Sequence, residues 1–428
     1  MGKIVGEYLT FDDTVIVPGL SRVEPSQVDI TGYASKSIML SIPLVSSPMD
    51  TVTESRLAIL LARFGALGVI HRNNSIEEQV EHVKVVKKSN PSLWAEVPRV
   101  DSPEALEDML LRLEETNSEA AIVYHGGVPI GVFIAREADH AYWSGKAHAL
   151  ITLLDLVNPA PLTDEMGRLM VGAAISPFDE KRAVELVKAG ADVLFTDVAH
   201  LHNEGALSAL KKLSKIVDVD IVAGNIGTRE AAVDIISRID NIAGLRVGIS
   251  SGSICSTGEV AGTAVPTLQA VINVADALKE MGLLGKIPIV ADGGIKNPGD
   301  AAKAIIAGAS SVMTGRFLAG SEEAASQKIR VGGRLYKVYR GMASRGAMER
   351  RFAADRYSKP SKAIEEGVEG LVPYTGSALV KVMEMATGLQ AALGYAGARD
   401  IKEAWSKSRL ARITPIGSRE VKPHDLVV

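Results

Sequence analysis

The sequence predicts an α/β protein whose core is a closed (β/α)8 TIM barrel with an inserted module. Eight short, β-branched and almost wholly apolar runs occur along the 428 residues, and helical patterns separate them. Such runs are typical of parallel strands that helices cover on both faces. A barrel takes about 250 residues, which leaves room for an insertion. An open doubly wound sheet is the alternative, but eight strand–helix units favour closure.

The elements follow one another in a regular order. Helical periodicity is clear at 53–64 and 228–239, and a last helix at 377–393 is expected to complete the barrel. The strands are predicted at 42–49, 66–71, 170–176, 193–199, 221–226, 245–249, 287–293 and 311–316.

Two segments do not fit a plain barrel. The second and third strands lie too far apart for one crossover, so the chain divides into 1–88, an insertion at 89–168, and 169–428. Inside the insertion, residues 118–134 predict two strands around a Gly-Gly turn. The glycine-punctuated stretch at about 320–376 predicts a long functional or mobile loop, here called the flap.

Composition and charge exclude several classes of function. The net charge is −4 and no basic block occurs, so no nucleic-acid partner is expected. One cysteine excludes an intrachain disulfide framework and suits a reducing cytoplasm. No apolar run reaches about 18 residues and the N-terminus lacks an apolar signal segment, so a soluble cytoplasmic protein without a membrane partner is expected.

The single cysteine, Cys255, lies in the glycine- and serine-rich stretch GISSGSICSTGEVAG after the sixth predicted strand. Backbone N–H groups of such a loop can hold a phosphate and can favour a thiolate, the nucleophilic form of cysteine. Barrel enzymes collect their active residues at these strand ends. No Cys–His spacing, metal-ligand spacing or helix-opening dinucleotide motif accompanies it. The residues alone leave a covalent nucleophile and a plain core or loop thiol both open.

Several motifs, in one order, make the chain resemble the inosine-5′-monophosphate (IMP) dehydrogenase family. They are LTFDDTVIVPG, IPLVSSPMDTVTE, VAGN, RVGISSGSIC, IPIVADGGI, AAKAIIAGASSVM, YRGMASRGAM, DRY and GYAGA. The resemblance implies a (β/α)8 barrel, usually tetrameric, that oxidises IMP with NAD. It implies that Cys255 attacks C2 of the hypoxanthine ring and that water hydrolyses the resulting thioimidate. Arg356 and Tyr357 of the flap would activate that water, with Thr257 and Glu366 as a proton path.

The resemblance also assigns binding residues. NAD would contact Asp197, Asn225, Gly248, Ile249 and Ser250, and K⁺ would bind carbonyls of Ser250, Gly252 and Cys255. IMP would contact Ser47, Met49, Ser253, Asp292, Gly293, Gly294, Gly315, Arg316, Tyr339, Gly341, Met342 and Glu366.

The chain departs from the family pattern in places. Ser250 replaces a glycine of the cysteine loop, and Arg316 replaces a serine or asparagine at the phosphate position. Residues 96–140 resemble one CBS repeat, so the insertion is a shortened CBS-like module. GMP reductase, a related purine-nucleotide oxidoreductase and a non-catalytic nucleotide-binding regulator stay open as alternatives. The DRY and EEGVEG segments favour the dehydrogenase.

Overall fold

The structure is a computed structural model that describes residues 4–91, 99–101, 120–125, 128–134, 160–349 and 366–422. The chain forms two compact units. One combines Met1–Ser89 with Pro161–Val428, and the other is Asn90–Ala160.

The larger unit is built on eight parallel strands that pair in chain order. The eighth strand pairs with the first, with Val312 opposite Leu44. The first strand also bonds to the segment just before the second, since the Ser46 N–H donates at 2.9 Å to the carbonyl of Leu67, two residues ahead of that strand. The barrel prediction is therefore confirmed. The strands are Leu44–Ser46, Val69–Ile70, Gly172–Ile175, Val193–Thr196, Asp220–Ile226, Ile242–Val247, Ile289–Asp292 and Ser311–Thr314.

Each predicted strand contains or overlaps an observed one, but most predicted strands extend too far. The extra residues, such as Ser47 and Met49 after the first strand, leave the sheet and turn into the loops above it. The apolar runs extend beyond the last hydrogen bonds between strands because the loops that follow are also buried. Even the polar Ser47 is only 5% exposed.

Helices surround the barrel, and polar N-caps fix where most of them begin. Thr228 and Asn297 accept backbone N–H groups of the first turn, as does Ser75 in a capping box. Among the described helices, none is both long and apolar enough to span a membrane. The principal helices are Ser55–Arg63, Ile76–Lys88, Glu180–Ala189, Glu204–Leu213, Arg229–Arg238, Thr267–Glu280, Pro298–Ile306 and Ala378–Tyr395, the last confirming the predicted final helix.

The flap segment is more ordered than a loop. It contains an antiparallel sheet of Lys328–Val331, Arg334–Arg340 and Glu369–Pro373. Buried Lys337 ties this sheet to the start of the flap, because its ammonium donates to three backbone carbonyls, those of Ser321, Glu322 and Ala324, at 2.7–3.1 Å. The pairing of Arg334–Arg340 with Glu369–Pro373 spans about 30 residues and leaves little local signal. The hairpin of Lys328–Val331 and Arg334–Arg340 has a local Gly-Gly turn, a signal that the sequence interpretation missed.

Shorter elements complete the larger unit. The aperiodic C-terminal tail still forms a strand, Arg409–Arg412, which pairs antiparallel with Thr14–Val17 near the N-terminus. The remaining elements are the paired strands Gly32–Tyr33 and Met39–Leu40, the short helices Phe11–Asp13, Pro25–Gln27, Thr257–Val260, Arg316–Ala319, Arg345–Glu349 and Pro415–Glu420, and the helix Ile401–Lys407.

The smaller unit contains the predicted hairpin, Ala120–His125 with Val128–Ile134, and Arg99–Asp101 pairs parallel to its first strand. The unit ends at Ala160, eight residues before the predicted limit of 168. Residues 161–168 belong with the barrel because the Leu162 N–H donates to the Ala62 carbonyl and Asp164 bonds to Lys87. The likeness to a CBS repeat stays a prediction.

Candidate active site

A cavity of about 610 Å³ opens at the carboxyl ends of the barrel strands, where barrel enzymes hold their substrates. Loops after the first, fifth, sixth, seventh and eighth strands line it together with residues of the flap sheet. Nineteen of the predicted site residues line this cavity: Ser47, Met49, Asn225, Gly248, Ile249, Ser250, Gly252, Ser253, Cys255, Thr257, Asp292, Gly293, Gly294, Gly315, Arg316, Tyr339, Gly341, Met342 and Glu366.

The Cys255 thiol is exposed to the cavity rather than packed in the core. Its Sγ lies 3.3 Å from Thr257 Oγ1 and 3.6 Å from Ser250 Oγ. The loop is held from the flap side, because the Val368 N–H donates to the Ile254 carbonyl at 3.0 Å. Exposure to the cavity excludes a core thiol. A thiol on a fixed loop with two hydroxyls beside it can reach a bound ligand, and the covalent nucleophile and the plain loop thiol both stay open.

A polar path leads from the thiol into the protein. The Thr257 hydroxyl donates to Glu366 Oε2 at 3.0 Å, and Glu366 is only 2% exposed. The Glu366 carbonyl accepts the Ser256 N–H at 3.1 Å, which fixes the glutamate next to the cysteine loop. Thr257 and Glu366 therefore form a hydrogen-bonded chain beside the thiol, along the wall of the cavity.

Asp292 ends the seventh strand and points one carboxylate oxygen into a fixed set of donors. Arg246 Nε donates to Oδ2 at 2.7 Å and Asn225 Nδ2 donates to the same oxygen at 2.9 Å. Asn225 does not cap the following helix; Thr228 does. The other carboxylate oxygen is left to accept hydrogen bonds from a ligand's hydroxyl groups.

Asp197 lies elsewhere than the resemblance implies. Its carboxylate is fully buried, 3.1 Å from Arg246 Nη1 and 3.4 Å from Arg72 Nε, and it does not line the cavity. Two buried guanidinium groups require a counter-charge, and this need turns Asp197 towards the interior.

One end of the cavity carries several hydrogen-bond donors. Tyr339 lies there between Ser253 and Arg316, and burial raises the pKa of its hydroxyl to about 12, so the hydroxyl stays a donor. Gly315 keeps the end open, because a Cβ there would come within 2.8 Å of the Tyr339 hydroxyl and 2.9 Å of Met49 Sδ. Arg316 is exposed at the same end.

Gly248 shapes the floor below the cysteine loop. Its φ of +150° lies in the region that favours glycine, and a Cβ would collide with the Asp292 carbonyl oxygen. The close approach brings the sixth and seventh strand ends together beside Asn225.

Comparison with known proteins decides the family. A sequence profile of the IMP dehydrogenase / GMP reductase domain matches residues 8–424. The chain belongs to this family. It is therefore an enzyme, an oxidoreductase of purine nucleotide metabolism.

Relatives of the chain agree along nearly its whole length. It is 43% identical to an inosine-5′-monophosphate dehydrogenase of Korarchaeum cryptofilum, over 97% of this chain and 96% of that one. It is 41% identical to the enzyme of that name from Thermoplasma acidophilum, over 99% and 95%. A GMP reductase of Trypanosoma brucei, solved in complex with guanosine 5′-monophosphate, is 32% identical with a TM-score of 0.77 over 99% of both chains.

The family departure at Ser250 has a visible structural consequence. Ser250 is in the left-handed region, with φ of 57°, a conformation that costs a residue with a side chain of order 1 kcal/mol. Its Oγ offsets part of that cost by accepting the Gly258 N–H at 2.6 Å. The same hydroxyl lies beside Cys255, so the substitution places a second polar group at the thiol.

Arg356 and Tyr357, the predicted water-activating pair, lie outside the described residues.

No group of three or more His, Cys, Asp or Glu side chains placed for a metal ion occurs in the part of the chain that the structure describes. The K⁺ hypothesis uses backbone carbonyls instead. The Gly252 carbonyl accepts the Cys255 N–H at 3.0 Å, which leaves its second lone pair for a cation.

The sequence interpretation missed Arg246. It lies within the sixth strand, is 4% exposed, and holds Asp292 and Asp197 at once. A signal was present, since an arginine inside an apolar strand must find buried counter-charges. Lys296 and Lys381 also line the cavity and were not singled out.

Proposed function

We propose that the chain oxidises inosine 5′-monophosphate to xanthosine 5′-monophosphate with NAD, through a covalent thioimidate on Cys255, as a step of guanine nucleotide biosynthesis. One observation carries the proposal: the exposed Cys255 thiol lies in the strand-end cavity, 3.3 Å from a threonine that donates to buried Glu366. A nucleophile beside a proton path is what a two-step covalent reaction needs.

The reaction balances in two stages. The Cys255 thiol loses its proton as its sulfur bonds to C2 of the purine, and C2 loses a hydride. NAD, when bound, supplies the hydride acceptor. Water then adds to C2 and the carbon–sulfur bond breaks. The oxygen of that water stays on C2, and its two hydrogens end on a ring nitrogen of xanthosine 5′-monophosphate and on the regenerated thiol. Thr257 and Glu366 carry protons near the thiol.

The nucleotide lies across the cavity in this proposal. Its phosphate contacts Ser253, Gly315, Tyr339 and Arg316, where an uncharged tyrosine hydroxyl and a guanidinium group donate hydrogen bonds. Its ribose hydroxyls bond to Asp292. The base lies against Met49, Gly341 and Met342, within reach of Cys255.

The remaining assignments are also proposals. Asn225, Gly248, Ile249 and Ser250 line the cavity where NAD would bind, and the carbonyl oxygens of the cysteine loop are donors of the kind that K⁺ prefers. Arg356 and Tyr357 activate the hydrolytic water, which requires an unusual site for an arginine to act as a base. The enzyme is proposed to act as a homo-oligomer in the cytoplasm.

A second candidate is reductive deamination of guanosine 5′-monophosphate with NADPH. The likeness to a GMP reductase over 99% of both chains favours it. That reaction needs no water-activating pair, so the Arg356–Tyr357 dipeptide argues for the dehydrogenase.

Two absorbance assays separate the candidates. Formation of NADH with IMP and NAD supports the dehydrogenase, and loss of NADPH with GMP supports the reductase. Silence in both, with IMP still bound in calorimetry, would favour the non-catalytic regulator.

Two variants test the covalent mechanism. Cys255→Ala should lower turnover by at least about 10³-fold while IMP binding stays measurable, because the nucleophile is lost and the cavity is kept.

Arg356→Ala should slow hydrolysis more than hydride transfer, so that a protein–nucleotide adduct accumulates. Mass spectrometry that finds no adduct during turnover would contradict the role of Arg356.

A further inference from the structure

A buried ion pair joins the two sides of the nucleotide cavity. Asp50 follows Met49 directly, and its side chain is inaccessible to solvent. Arg340 donates to both of its carboxylate oxygens, with Nε 3.0 Å from Oδ1 and Nη2 2.5 Å from Oδ2. Two parallel hydrogen bonds fix orientation as well as distance.

The position of Arg340 in the chain connects the ion pair to residues that line the cavity. Arg340 lies between Tyr339, at the phosphate end of the cavity, and Gly341 and Met342, which line it further along. Its backbone N–H donates to Thr51 Oγ1 at 3.3 Å, so side chain and backbone both dock on the loop after the first strand. That loop carries Ser47 and Met49 into the same cavity.

Further hydrogen bonds extend the network without touching the cavity. Asn73 Nδ2 donates to Asp50 Oδ2 at 2.8 Å and to the Ala347 carbonyl at 3.1 Å. Opposite Arg340 in the flap sheet, Glu369 Oε1 accepts the Gly346 N–H at 2.7 Å. Loops from the first and second strands are thereby tied to the flap sheet and to the helix Arg345–Glu349.

We propose that Asp50 is a positioning residue for the nucleotide: through Arg340 it holds the segment Tyr339–Met342 in register with Ser47 and Met49. Asp50 itself does not line the cavity. The inference rests on the proposed function only for the identity of the nucleotide.

Both groups are charged at neutral pH. Burial alone would raise the pKa of Asp50, but the hydrogen bond and charge of Arg340, with Asn73, outweigh burial and lower it. Replacing the carboxylate by an amide therefore removes a real ion pair while it keeps the shape of the side chain. A misplacement of about 1 Å near reacting groups can cost about 100-fold in rate.

The test is Asp50→Asn, assayed for IMP and NAD separately. We expect KM for IMP to rise about 10-fold and kcat to fall about 10-fold, while KM for NAD stays within about twofold. If Asp50 only stabilised the fold, the variant would contain a smaller fraction of active enzyme, and the KM values for IMP and for NAD would not change differently. Asp50→Glu, which keeps the charge, should restore part of the IMP affinity.

Asp164→Asn is the matched control. It makes the same change in another carboxylate that is bonded to a buried cation, away from the cavity. We expect no change in either KM. If Asp50→Asn does not fold, Arg340→Lys replaces it, because lysine keeps the charge but loses the two-point contact. An unchanged KM for IMP in the folded variant would overturn the proposal.

Calorimetry separates this proposal from the proposed function. If the wild-type protein forms no NADH, the dehydrogenase assignment fails, while Asp50 is still tested by the loss of affinity for IMP or GMP. Equal affinity in wild type and Asp50→Asn overturns the positioning role. Absence of binding to either nucleotide in the wild type overturns both.

Discussion

Two buried charge clusters in this barrel are nearly identical in local geometry and differ in what they do. Arg246 lies 3.1 Å from Asp197 and 2.7 Å from Asp292. Lys87 lies 3.1 Å from Asp164 and 2.7 Å from Asp192. Both cations have side chains that are 5% exposed. One cation between two carboxylates is thus not by itself a functional signature.

Their place along the strands separates them. Asp197 and Asp292 lie at the carboxyl ends of the fourth and seventh strands, and Asp292 lines the cavity. Asp192 precedes the fourth strand, and Lys87 lies in the last turn of the helix Ile76–Lys88. The Lys87 cluster is therefore at the opposite end of the barrel, beside the point where the chain returns from the insertion.

The cations also suit different tasks. The guanidinium of Arg246 donates from Nε to one carboxylate and from Nη1 to the other, so both are held at fixed angles. The ammonium of Lys87 is a point charge with rotatable donors. Fixed orientation matters for a carboxylate that must meet a ligand, whereas charge balance is enough for one that only closes the fold.

Removing Arg246 should have the largest effect. Arg246→Leu leaves Asp292 without its cation and buried Asp197 with Arg72 alone, which costs about 3–5 kcal/mol in the free energy of unfolding. Folded molecules should also lose at least about 100-fold in kcat/KM, because Asp292 is no longer oriented. Denaturant titration and steady-state kinetics measure the two losses. Arg246→Lys, which keeps only the charge, should fall in between.

Removing Lys87 should affect stability alone. Lys87→Met should cost about 3–5 kcal/mol in the free energy of unfolding for the same electrostatic reason. Its kcat/KM per folded molecule should stay within about twofold of wild type. A catalytic defect as large as that of Arg246→Leu would show that the two ends of the barrel are not independent.

Acid should remove the contribution of Asp164 to the Lys87 cluster, whereas burial raises the pKa of Asp192 and gives that carboxylate the opposite dependence on pH. Burial alone would raise the pKa of Asp164, but hydrogen bonds from the Arg168 backbone, Lys87 and the Arg168 side chain lower it to about 2. Because the unfolded chain binds this proton near pH 4 and the folded protein only near pH 2, the stabilisation is full above pH 4 and is lost as pH falls to 2. The stability difference between wild type and Asp164→Asn should shrink over that range. A difference that is constant from pH 5 to pH 2 would rule this out.

An exposed ion pair should show the smallest effect. Arg229 and Glu280 bond to each other at the surface, with side chains 42% and 63% exposed. Arg229→Ala should leave both the unfolding midpoint and kcat/KM unchanged within error, because solvent screens such pairs. The variant is a reference for the two buried clusters, and a marked loss in it would show that burial is not what separates them.

Much of the architecture could be predicted because its signals are local. The strand 193–199 and the helix 377–393 each show their pattern within a few residues, and the structure contains both. The cysteine loop was located for the same reason. The third strand of the flap sheet could not be predicted, since Tyr339 pairs with Gly370 across 31 residues and no short pattern reports such pairing. The first two strands were missed although their signal was local, because Val331 and Arg334 pair across a Gly-Gly turn.

The sequence by itself determined which residues stand at the carboxyl ends of the strands, because apolar runs fix the strands and parallel pairing sends their ends to one face. It placed Cys255, Asp292 and Asp197 there without showing which way each side chain points. Only the tertiary structure decided their directions: Cys255 faces the cavity, Asp292 borders it, and Asp197 turns inward. The physical reason is that Arg72 and Arg246, far from Asp197 in the chain, are buried and require its charge.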